Sequence, residues 1–265
     1  MGHTRLGTIP KTRKWHAVVE LMTGLGSSSE SLADDLPLIA RAALDAAQTG
    51  LDKARKDASL RHAFYLLTQI AISCKAPDWR ARLHTLGIEL PENATAVDLS
   101  FGAQDVLDEY ISRNRLRSDV SEITQQVFGE AIAGALTPRS LSLFETSGSE
   151  LFEGLRALAT KGGFGELSQS FFARFVSRFL NFYLSRFTAG QLNTNRLPQI
   201  GDLSEFHRAL ELHCMQSARI VRDFSGEWLS KTEFKEGVNE TNVARFMSVA
   251  LKKLRAEMEA QKGDV

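Results

Sequence analysis

The sequence predicts an all-α protein: an irregular multi-helix bundle around a central aromatic helix at 171–187, preceded by an extended basic N-terminal arm. Three observations carry that expectation. First, FFARFVSRFLNFYLSRF holds six of the sixteen phenylalanines. At about 100° per residue its apolar side chains cover half a helix circumference, so other helices must surround it. Second, apolar residues recur at three- and four-residue spacing in most other segments, as at Val120, Ile123, Val127 and Ala131. Third, alternating runs are nearly absent. Ser140–Phe144 is the one stretch that reads as a brief strand, and it has no evident partner.

Residues 1–29 form an arm and linker; residues 30–265 form a single helical domain, with a sub-lobe boundary near 87–97. Residues 1–16 carry Arg5, Lys11, Arg13 and Lys14 without an acid, while Gly2, Gly7 and Pro10 discourage regular structure. Trp15 leads into a short apolar run, and GLGSSSES (24–31) is a loop, lacking the lysine of a phosphate-binding loop. Asp35 followed by Leu36 and Pro37 starts a helix. Another runs through His62 to Cys74, ending before Pro77, and Asp78 caps a short successor. GIELPENATA (87–96) is a linker by composition.

A helix from Ser100 ends in the basic knot Arg113–Arg117, where cations suit the negative helix terminus. The next starts at Ser118 or Asp119 and stops at Pro138. Ser149–Thr160 is helical, and Lys161-Gly162-Gly163 is a turn before the aromatic helix. Asp202 caps a helix with Leu203, Phe206, Leu210, Cys214 and Val221 on one face. Gly226 interrupts the chain, 226–239 is a polar loop, and a final helix carries Val243, Met247, Ala250, Leu254 and Met258.

Lys plus Arg equals Asp plus Glu, 32 each, so no global field selects nucleic acid or an anionic membrane. Two cysteines far apart, Cys74 and Cys214, fit a reducing, prokaryote-like cytosol, and no run is long and apolar enough to span a bilayer. No cofactor is expected. His207, Glu211 and Cys214 share a helical stripe, but the compact Cys/His pairs of a zinc site are missing, so no metal is expected there.

The resulting expectation is a cytoplasmic, non-catalytic helical adaptor or subunit that binds a protein partner through a helical face and the arm. Arg5, Leu6, Ile9, Lys11, Arg13, Lys14 and Trp15 are the partner-binding candidates, with Trp15 as an aromatic anchor. One alternative is a nucleic-acid-binding accessory protein using the arm and Arg113, Arg115 and Arg117. Another is a metal-dependent nuclease-like enzyme using Asp223, Glu233 and Lys235 in an acid…E-x-K order, although the expected helix end and loop lack the adjacent strands that chemistry needs.

Overall fold

The computed structural model describes residues 7–24, 32, 34–136, 148–192, 194 and 199–260; the expected strand at Ser140–Phe144 lies outside these residues. The described residues form twelve helices and no strand: α1 (Arg13–Thr23), α2 (Leu36–Ala46), α3 (Gln48–Ala54), α4 (Ala58–Ser73), α5 (Trp79–His84), α6 (Ala96–Arg113), α7 (Asp119–Leu136), α8 (Gly148–Leu158), α9 (Lys161–Gly190), α10 (Ile200–Ser217), α11 (Arg219–Lys235) and α12 (Glu240–Ala260). None is long and apolar enough to cross a membrane.

The chain divides into two compact units. The first comprises Met1–Lys53, Ala173–Ala218 and Lys252–Val265; the second comprises Ala54–Phe172 and Arg219–Leu251. The expected boundary near 87–97 falls inside the second unit.

In the first unit, Thr12 caps α1 by accepting from the Trp15 amide at 3.4 Å. Gly24 ends α1 at φ 81°, a left-handed conformation that suits glycine. Trp15, Val18 and Met22 are buried at three- and four-residue spacing, and α1 packs on α2, whose buried Ala40 and Ala43 permit close approach. α2 begins at Leu36 with proline in its first turn, as expected, although Asp35 makes no capping bond with its side chain. α10 starts at Ile200, and Asp202 sits at its third position, accepting from the Gln199 amide at 2.8 Å rather than standing as the cap. The C-terminal part of α9 supplies buried Phe175, Val176, Phe179, Leu180 and Leu184.

The second unit is built on α4, buried along most of its length from Ser59 to Ser73. Phe64 is fully buried among the rings of Phe164, Phe171, Phe172, Trp228 and Phe246, with centroids 5.1 to 6.5 Å away. α6, opened by a reciprocal Thr95–Asp98 capping box, packs on α7, and α4 contacts both.

Two segments expected to be loops are helical. α9 begins at Lys161, so the glycines expected to precede the aromatic helix lie within its first turns, and α11 runs through Gly226 to Lys235. The reason is steric. A Cβ on Gly226 would collide with the Lys161 carbonyl oxygen, and one on Gly165 would stand 2.9 Å from the Arg222 carbonyl oxygen. These glycines let two backbones approach closely, and that packing outweighs the roughly 1 kcal/mol helix penalty of each.

Candidate functional site

The sequence-predicted residues are spread across both units. Of the N-terminal set, Arg5 and Leu6 lie outside the described residues. Gly7 donates its amide to the Phe182 carbonyl at 2.7 Å, and Ile9 is half-buried. Arg13 already belongs to α1, and Lys14 pairs with Asp45 at 2.8 Å. Trp15 is 2% exposed and lies against Tyr183, ring centroids 5.2 Å apart. From Gly7 onward this segment is therefore docked within the first unit. Lys11 and Arg13 remain exposed, without a carboxylate partner among the described residues.

Arg113 closes α6 and pairs with Glu109 at 2.6 Å, one turn back. Arg115 adopts φ 54° as the chain turns, and Arg115 and Arg117 are exposed. Asp223, Glu233 and Lys235 do not meet: Asp223 and Glu233 are ten residues apart on α11, about 15 Å along its axis, and Glu233 instead pairs with Lys75. On α10, Cys214 turns into the core, where burial pushes its thiol up to about 12, whereas Glu211 faces Arg174 at 3.5 Å. No metal-holding group of His, Cys, Asp and Glu occurs among the described residues.

What the structure does assemble is a cleft in the second unit. It has a volume of about 680 Å³, lined by Ala58, Arg61 and His62 of α4, Tyr110 of α6, and Glu240, Thr241, Ala244, Arg245 and Ser248 of α12. Those spacings put each set on one helical face. Ala58 and Ala244 leave the space, since neither reaches beyond its Cβ. Asn239 caps α12, accepting from the Thr241 and Asn242 amides at 3.0 Å each, and so fixes the turn that presents Glu240.

His62 joins two other lining residues of this cleft. Its ring lies flat on Tyr110, centroids 3.6 Å apart and planes 9° from parallel, and its Nδ1 is 3.2 Å from Glu240 Oε1. In the neutral ring, Nδ1–H donating to Glu240 leaves Nε2 as an acceptor. Burial lowers the His62 pKa, with Glu240 opposing. Burial, then the charges of Glu240 and Asp57, raises that of Tyr110. Near pH 7 both rings are thus neutral, and two guanidinium groups and one carboxylate line the cleft. The Nε of Arg61 donates to the Arg55 carbonyl at 3.1 Å, which orients its terminal nitrogens; those nitrogens and the Arg245 head have no partner among the described residues.

Sequence reasoning passed over this cleft. His62 and Glu240 are 178 residues apart, and each looks locally like the polar side of an amphipathic helix.

Burial also lowers the pKa of His207 and His213, whose Nε2 atoms are sealed without a partner among the described residues. The unfolded chain protonates these histidines near pH 6.5, before the folded chain does. Their contribution is fully present above that pH and is lost as pH falls through it. The thermal midpoint is therefore expected to drop between pH 7.5 and 5.5; a midpoint that rises over that interval contradicts this.

In comparisons with known proteins, no family model, no curated protein and no solved structure matches this chain.

Proposed function

We propose that this chain is a non-catalytic binding protein whose second unit receives a small anionic molecule in the Arg61–His62–Tyr110–Glu240–Arg245 cleft. One observation carries the reading: Arg61 and Arg245 line a single cleft, and Glu240 is the one carboxylate among its lining residues. Guanidinium groups held near one another repel, and an anion reverses that repulsion while taking charge-assisted hydrogen bonds from both. The cleft falls within the roughly 300–1,000 Å³ usual for small-molecule sites.

The test is calorimetric titration of the full chain with inorganic phosphate, citrate and acetate, with glycerol as a neutral control. At least one anion is expected to bind and glycerol is not. Arg245→Ala, an exposed position, should weaken binding about tenfold or more, as expected for a lost charged hydrogen bond. Absence of heat with every anion overturns the reading.

A second reading, a helical adaptor engaging a protein partner through the N-terminal segment, is favoured by the exposed cations Lys11 and Arg13 beside exposed His16. They fit an acidic partner segment. Binding of a fluorescent poly-glutamate peptide should then be lost in a Lys11→Glu, Arg13→Glu double variant, and equal binding by that variant removes the reading.

A further inference from the structure

We infer that the ligand of this cleft carries a phosphate-monoester dianion, and that His62 takes up one proton from solvent when it binds. The inference rests on the anion-site reading above and adds the ligand's chemical class. Three donors drawn from two helices surround the space: the terminal nitrogens of Arg61, the Arg245 guanidinium, and His62 once protonated. A carboxylate offers two coplanar oxygens and is satisfied by one guanidinium fork. A phosphate monoester offers three oxygens in a pyramid, enough for donors arriving from α4 and α12 together.

Charge makes the same selection. With His62 neutral, two guanidinium groups against Glu240 leave one positive charge, and the ring's Nε2 presents a lone pair that repels an anion. With His62 protonated, Nδ1–H still donates to Glu240 while a new Nε2–H donates to a phosphate oxygen. Three cations against one carboxylate then leave two positive charges, matching the dianion. The proton added at Nε2 comes from the buffer, and no other bond changes.

The other titratable and charged groups near the ring fit this account. Tyr65, on α4, has its ring centroid 6.0 Å from that of His62. Tyr110, on α6, covers one face and stays neutral. Glu240 and Arg245 approach from α12, and Asp57 caps α4 through the Ser59 and Leu60 amides. Burial keeps the ring unprotonated in the free protein, so the proton has to arrive with the ligand.

Calorimetry with methyl phosphate, methyl sulfate and acetate at pH 7.5, repeated in Tris and in HEPES, tests this. Methyl phosphate is a dianion there, its second pKa lying at about 6, whereas methyl sulfate keeps the shape with a single charge. Methyl phosphate is expected to bind at least tenfold more tightly than either, with a buffer-dependent heat that reports proton uptake approaching one per site. His62→Gln should abolish the buffer dependence while weaker binding persists; if that variant folds poorly, the wild-type buffer comparison decides alone. Equal affinity for acetate or methyl sulfate, or wild-type heats independent of buffer, overturns the inference and leaves an anion site standing. No binding of any of the three overturns both.

Discussion

Phe64→Ala is expected to destabilise the second unit by about 3–5 kcal/mol, the range for removing a phenylalanine that is fully enclosed. Phe64 has no exposure, and five aromatic rings from α9, α11 and α12 surround it. Truncation removes its own buried surface and also leaves those rings facing a void they cannot close without moving together. Domains of this size have about 5–15 kcal/mol of net stability, so the loss is a large fraction of the whole. Urea unfolding followed by tryptophan fluorescence measures it, since Trp228 lies 6.5 Å from Phe64 by ring centroid. A midpoint unchanged from wild type would mean the ring cluster does not form.

The second large effect is expected at Trp15. Trp15→Ala should cost about 3–5 kcal/mol in the first unit, because the indole is buried against Tyr183 and joins Val18 and Met22 on the inner face of α1. If the two units melt as separate transitions, Phe64→Ala lowers one and Trp15→Ala the other. A Trp15→Ala protein that melts like wild type, yet no longer captures a partner, would return this residue to the role of an intermolecular anchor. Lys11→Ala, by contrast, should leave the midpoint in place, since its side chain is exposed and without an ion pair among the described residues.

Most of the helical architecture was legible because helix faces repeat within one element. Asp78 caps α5 through the Ala81 amide at 3.0 Å as its position implied, α7 starts at Asp119, and the aromatic run is buried in α9. The two segments expected as loops but found helical turn on glycine. Gly226 reads as a breaker until the Lys161 carbonyl beside it is seen, and that neighbour is 65 positions away in the chain. The arm's docking was open for a related reason. Its apolar residues call for a surface without naming it, and Trp15 and the Gly7 amide find partners near residue 183 that no local pattern names. The cleft was illegible altogether. No mutual spacing links His62, Tyr110 and Glu240, so only the packing of α4, α6 and α12 makes them neighbours.

The alternation of the chain between its two units bears on biosynthesis. The second unit lacks Arg219–Leu251 until most of the polypeptide has been made, and the first still awaits the segment after Leu251. A ribosome emitting this chain from its N-terminus thus holds α1 and α2 for well over a hundred residues before α9 and α10 can join them. During that interval the inner faces of Trp15, Val18 and Met22 are uncovered, the kind of surface that chaperones bind. Any fragment cut at a single point leaves at least one unit incomplete, so expression of either half alone should give insoluble or protease-sensitive product. Arrest of translation before residue 173 should leave both α4 and α1 open to proteolysis on the ribosome.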